Sequence, residues 1–358
     1  MASIDKRKGK WVVRWRVGGS SRQKTFTVHA HALDHKAKVE AETRAGNAID
    51  PVMGRVLFRE WWPIWMRGRV NLKPATLATS RSLYVNHISR WDDWTLDRIR
   101  QPEVQTWVAE QVREDRLSSS TIIACYKDFA SAMKAAVVAR YLRETPCVGV
   151  NLPQVERDPM RVLDHDEIAR LADAINPQYR ALVIFLAYSG LRIGEACALR
   201  WSNVDADRSQ VVVTHTASEV AGHGLQLTVP KTAAARRTVP LPHHVTEALR
   251  SHRAGLSAPW VFTTTTGAQV NPRAFNRRPF ATALRRTGIT CRVHDLRHTA
   301  ISHWIRAGVD LPRVKAWAGH TDAAFTLNTY AKFFPTDDTH ILDMLNERII
   351  TSQASVES

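Results

Sequence analysis

VHDLRHTAISHWIRAG, residues 293–308, gathers His294, Arg297, His298 and His303 within ten positions. At 3.6 residues per turn, His294, Arg297 and His298 fall on one face of a helix. Ala300, Ile301, Trp304 and Ile305 form an apolar stripe that would anchor that helix in a core. Gly308 ends the pattern, and Asp310, Leu311 and Pro312 start the next helix. The spacing predicts a basic, imidazole-bearing face on a buried support, and leaves open what that face holds.

The charge of the whole chain narrows the choice. Its 358 residues carry 50 Lys and Arg against 34 Asp and Glu, a formal net charge of +16. Such an excess points to a polyanionic partner, nucleic acid first; the plainer reading is a basic solvated surface. A hydrophobic content of 44% supports ordinary packed cores, and the length allows two or three domains. No uninterrupted apolar run approaches the ~20 residues of a membrane span. The basic N-terminus, MASIDKRKGKWVVRW, lacks the apolar segment of a secretory signal. A cytoplasmic protein with no membrane partner is expected. Cys125, Cys147, Cys197 and Cys291 are far apart without C-x-x-C spacing, so they read as reduced, with neither a disulfide frame nor a zinc cluster.

In GKWVVRWRVGGSSRQKTFTV, Trp11, Val13, Trp15 and Val17 alternate with Val12, Arg14 and Arg16, the period of a strand with one apolar face. GGSSRQ reads as a turn and KTFTV as the returning strand, with a helix over HALDHKAKVEAETRAG. Two strands alone would be marginal, so a further strand or that helix must cover the aromatic face. From Leu57 to about Val150 the pattern is helical. Pro74 and Pro102 stand where helix-opening prolines stand, and a serine cap precedes TIIACYKDFASAMKAAVVARYL. Proline-bearing TPCVGVNLPQVERDPM forms a boundary. Helices and short strands mix from Leu163 onward.

Three further stretches could carry chemistry. In YSGLRIGEACALRW, Arg192 could simply pair with Glu195 at i+3, a few tenths of a kcal/mol; Gly190 and Gly194 would also let a bulky ligand approach it. Lys231, in TVPKTAAARRTVPL, is the only lysine between Lys134 and Lys315. It is either a leftover surface lysine or a proton donor to a leaving group, a task arginine performs poorly. In WAGHTDAAFTLNTYAKFF, Tyr330 follows His320 by ten residues, and is either a core aromatic or a nucleophilic phenol beside an imidazole. His294 and His298 at i, i+4 also have the spacing of a zinc pair. Asp295 is a methylene shorter than the glutamate of H-E-x-x-H, no third ligand is evident, and Arg297 would repel the cation. No G-x-x-x-x-G-K-[ST] loop is found, which argues against ATP-driven work on DNA.

Taken in order, R192…K231…H294-x-x-R297…H320…Y330 resembles the catalytic set of the tyrosine recombinases, of the phage or mobile-element integrase type. SGLRIGEACALRW is similar to the box around that family's first arginine, HDLRHTAISHWIRAG to its H-x-x-R box, and GHTDAAFTLNTY to the segment leading to its nucleophile. The family commonly has nine residues from that glycine-histidine to the tyrosine where this chain has ten, and a leucine where Ala318 stands. The resemblance implies a mainly α fold with small β-sheets (α+β). It divides the chain into an arm-type DNA-binding module of strands and a helix (1–55), a helical core-binding domain (56–153), a mixed α/β catalytic domain (154–342) and a tail (343–358). That tail either docks on a neighbouring protomer or packs on its own domain. Arg192 and Arg297 would clamp the phosphate, Tyr330 attack it, His294 assist the phenol, Lys231 protonate the departing 5′-oxygen and His320 add a phosphate contact. No metal and no cofactor are implied. The implied partners are double-stranded attachment-site DNA, a homo-tetramer on that DNA, a host DNA-bending protein and an excision directionality factor. Arg14, Arg16, Arg22 and Lys24 are the candidate contacts of the arm-type module. A type IB topoisomerase uses a similar residue set, and a non-catalytic DNA-binding regulator could share the fold; a relaxation assay beside a two-site recombination assay separates these.

Overall fold

The computed structural model describes residues 2–17, 20–44, 52–156, 159–229, 236–253 and 258–334. The chain folds as two compact units, Met1–Arg157 and Asp158–Ser358.

In the first unit, β1 (Ser3–Arg7), β2 (Lys10–Val17) and β3 (Ser20–Phe26) form an antiparallel sheet with β2 in the centre. The register sets Trp11 opposite Phe26, Val13 opposite Lys24 and Trp15 opposite Arg22. Residues directly opposite share a face, so these six lie together. Helix α1 (His29–Arg44) covers that face, with His29 against Trp11 at 4.0 Å between ring centroids and His35 beside Trp15 and Phe26. One sequence expectation changes here and another is met. The returning strand starts at Ser20, inside the segment read as a turn, because polar Ser20–Gln23 continue the main-chain ladder opposite Val17–Arg14. The extra strand that a lone ribbon would need is β1, on the far edge of β2.

Helices α2 (Phe58–Arg67), α3 (Pro74–Leu83), α4 (Gln101–Glu114) and α5 (Ser119–Val138) follow. Pro74 and Pro102 sit in first turns, where a missing N–H leaves no intrahelical bond unmade. The Ser118 hydroxyl accepts from the Thr121 N–H and caps α5. Phe58, Trp62, Trp91, Trp107, Phe129 and Met133 are buried in one cluster, which includes no residue of the sheet module. Arg143 nevertheless donates to both carboxylate oxygens of Glu42 on α1, at 2.7 and 2.8 Å.

Among the described residues, the second unit has one hydrophobic core. Its elements are α6 (His165–Ala174), α7 (Arg180–Ser189), α8 (Ile193–Cys197), β4 (Val204–Asp205), β5 (Gln210–Val213), β6 (Thr216–Val220), β7 (Gly224–Thr228), β8 (Arg237–Pro240), α9 (His243–Arg253), α10 (Pro272–Phe275), α11 (Ala281–Thr287), α12 (Val293–Arg306), α13 (Leu311–Ala318) and α14 (Ala323–Tyr330). The sheets are small: antiparallel β4-β5-β8, and a β6-β7 hairpin. Helix α12 packs along α7, with Ala300, Ile301, Trp304 and Ile305 buried as the apolar stripe predicts. The architecture is α+β with helices dominant. Among the described residues no helix is long and apolar enough to cross a membrane.

Candidate active site

Helix α7 ends at Gly190, in the left-handed conformation (φ +62°), and the chain turns at once into α8 with Arg192 as its N-cap. The Arg192 N–H donates to Glu195 Oε2 at 2.9 Å and its Nη1 to Oε1 at 3.1 Å. The i+3 pair read from the sequence is therefore present, but Glu195 has a larger task. It is buried, and it also accepts from Arg237 Nη2 at 2.8 Å and Nη1 at 3.2 Å. Arg237 is the first residue of β8, equally buried, and its Nε–H donates to the Trp317 carbonyl. Burial opposes the ionised carboxylate, yet the two guanidinium groups hold Glu195 below the usual carboxylate range. Gly190 and Gly194 are required by packing within the protein. A Cβ on Gly190 would stand 2.4 Å from Trp304, and one on Gly194 2.6 Å from the Ala217 carbonyl oxygen.

Arg297 departs from the open face predicted for its helix, because it is buried. Its Nη1 donates to the Gly190 carbonyl and its Nη2 to the Ala318 carbonyl at 2.8 Å, the carbonyls where α7 and α13 end. Burial, then the neighbouring Arg192, pulls the guanidinium down to about 9, which leaves it cationic at neutral pH. Two bonds leave donors of the five-donor fork for an anion.

Tyr330 closes α14 with its side chain buried. Its hydroxyl lies 2.6 Å from His298 Nδ1. Burial pushes the phenol up to about 12, against the opposite pull of Arg297 and Arg192. His320, in the turn after α13, stacks near the phenol ring (6.4 Å between centroids, 17° between planes), and its Nδ1 lies 2.8 Å from Thr326 Oγ1. Burial first, then Arg297, Arg192 and Arg237, lowers His320 to about 3. His294 is exposed at the mouth of the group, its ring edge-on to His298 at 4.7 Å. Partial packing, then Arg297 and Arg192, lowers it too.

The structure thus brings Arg192, His294, Arg297, His320 and Tyr330 into one electrostatic neighbourhood from three separate stretches. Lys231 lies in the segment 230–235, outside the described residues. The phenol's hydrogen-bond partner is His298 rather than His294. Sequence reasoning put His298 on the reactive face without a role, since helical spacing cannot say which of two imidazoles α14 approaches. It passed over Arg237 entirely, although the alternating burial of β8 (Arg237 and Val239 in, Thr238 and Pro240 out) is a two-residue period readable in RTVP. Asp295, weighed as a possible catalytic carboxylate of a zinc site, is buried and caps α12 through the Arg292 N–H at 2.7 Å and its guanidinium at 2.9 Å.

The four basic candidates of the sheet module divide between two faces. Arg22 and Lys24 lie opposite Trp15 and Val13, on the face α1 covers, with Lys24 over the Phe26 ring. Arg14 and Arg16 lie on the other face, where Arg14 pairs with Asp5 at 3.3 Å and Arg16 is exposed.

Two guanidiniums and three imidazoles gathered beside a buried phenol fit a class: DNA-strand transferases that use tyrosine. Residues 161–336 match the model of the phage integrase family. The chain is 25% identical over 315 residues to a XerC-like tyrosine recombinase of Caldanaerobacter subterraneus subsp. tengcongensis, covering 79% of this chain and 80% of that one. Its fold superposes on a Tn1549 transposon integrase in complex with a circular intermediate DNA (TM-score 0.70, 20% identity, 81% of this chain and 99% of that one). It also superposes on a lambda integrase tetramer bound to a Holliday junction (TM-score 0.60, 15% identity, 93% and 94%). The chain belongs to the tyrosine recombinases, of the integrase type, enzymes that cleave and rejoin DNA.

Proposed function

We propose that the chain is a site-specific recombinase that cleaves duplex DNA through a 3′-phosphotyrosine link and so integrates or excises a mobile genome. The observation that carries this reading is Tyr330: a buried phenol, hydrogen-bonded to an imidazole, within the field of Arg297 and Arg192. A scissile phosphodiester carries one negative charge and gains more on its non-bridging oxygens as it is attacked. Arg192 and the free donors of Arg297 would stabilise that charge in place, with His294 and His320 beside them. The Tyr330 oxygen bonds to phosphorus and the 5′-oxygen departs, protonated by Lys231. Because the covalent link retains the phosphoester energy, exchange needs neither ATP nor metal.

Arg14 and Arg16, on the sheet face opposite α1, would contact arm-type DNA, and Arg22 and Lys24 would reach it only from the helix-covered side. A homo-tetramer on two DNA partners is the working assembly; the lambda integrase tetramer has a similar fold. A host bending protein and an excision directionality factor complete the proposal. The test is a nicked suicide duplex carrying the attachment sequence that footprinting defines. Tyr330→Phe should bind it like the wild type and form no covalent adduct. An adduct with the Phe variant would assign the nucleophile elsewhere.

A further inference from the structure

On that reading, we infer that His298 accepts the phenolic proton of Tyr330 as the nucleophile attacks. The contact is direct: Nδ1 to Oη is 2.6 Å, within the reach a general base needs. No other hydrogen bond to the Tyr330 hydroxyl is found among the described residues. His294 is next to His298 rather than on the phenol, so the two imidazoles divide the work, one at the phosphate and one at the nucleophile.

Protonation state supports the geometry. Burial first, then His294, Arg297 and Arg292, lowers His298 to about 4, while Asp295 opposes them. A neutral ring protonated at Nε2 presents Nδ1 as the acceptor for the phenolic hydrogen. The groups facing it are His294, Arg292, Asp295 and Arg297 from α12, Tyr330 from α14 and His320 from the turn after α13. A phosphodiester entering between Arg192 and Arg297 adds negative charge to a site that depresses His298, and so raises its basicity when the proton must move. In the step, the Oη–P bond forms and the P–O5′ bond breaks. The phenolic proton passes to His298 Nδ1, and Lys231 gives one to the 5′-oxygen. On rejoining, both protons return.

The test is single-turnover cleavage of the footprinted site as a nicked duplex with a 5′-bridging phosphorothiolate. Sulfur leaves without a proton, so the rate reports activation of the nucleophile. His298→Asn, which keeps a polar atom near the Nδ1 position but cannot hold the proton, should bind the duplex normally and cleave roughly 100-fold more slowly. Its rate should rise with pH throughout, without the wild-type plateau. His298→Ala should be slow as well and regain at least tenfold in rate on adding imidazole. His294→Asn should keep the plateau. A wild-type pH profile in His298→Asn, or no imidazole rescue of His298→Ala, overturns the proposal while leaving the recombinase intact. A wild-type chain that forms no adduct removes the recombinase reading and this proposal with it.

Discussion

Glu195 stands three residues from Arg192 and forty-two from Arg237, and it accepts hydrogen bonds from both. Removing one member of a buried ion pair leaves the other charged and uncompensated, at a cost of about 3 kcal/mol. Glu195→Gln should therefore lower the urea midpoint of the second unit and slow cleavage, since Arg192 loses its support. The buried imidazoles make a separate prediction. His320 titrates at about 3 and His298 at about 4 in the folded chain, whereas both titrate near 6.5 when unfolded. Between those values the unfolded chain binds more protons. Stability present above pH 6.5 is lost as pH falls toward 4, and the melting temperature should drop over that window. His320→Gln should flatten the drop. Much of this chemistry was legible in the sequence, because H-x-x-R spacing and the order of the boxes are one-dimensional. The Glu195–Arg237 pair was not, since it joins a helix start to a strand that only the fold brings together.

At the scale of elements, prolines, caps and period-two or period-3.6 patterns located most helices and strands. The exceptions have a common cause. Strand β3 extends through serines because main-chain pairing is indifferent to side chains on an exposed edge, and β1 lies in a segment read only as a basic terminus. Gly190 shows how tightly elements are joined around the site. Alanine there would adopt φ +62° and drive its Cβ into Trp304 on α12. Left-handed strain adds ~1–2 kcal/mol, and overpacking adds ~1–3 kcal/mol. Gly190→Ala should consequently destabilise the unit by about 3 kcal/mol in chemical denaturation and shift the carbonyl that Arg297 holds.

For the whole molecule, the +16 net charge makes DNA affinity a property of ionic strength as much as of shape. If ~8 phosphates are neutralised per protomer, affinity falls by several decades between low and moderate salt. Arg16→Ala should lower the slope of log affinity against log salt by about one on arm-type DNA, and leave it unchanged on core-type DNA. Removing residues 1–55 should abolish binding to the distal site and spare cleavage at the core, measured by footprinting and adduct formation on the same duplexes.

The guanidinium of Arg297 staples the last turns of two helices before any DNA arrives. Knocking it out therefore disturbs scaffold and chemistry together, and an inert Arg297 variant is an ambiguous control. Tyr330→Phe, which subtracts one oxygen atom, is the cleaner dead enzyme. Conversely, a directed-evolution campaign that retunes this protein for new DNA has least freedom at the arginine and most at residues that touch the duplex without fastening the frame.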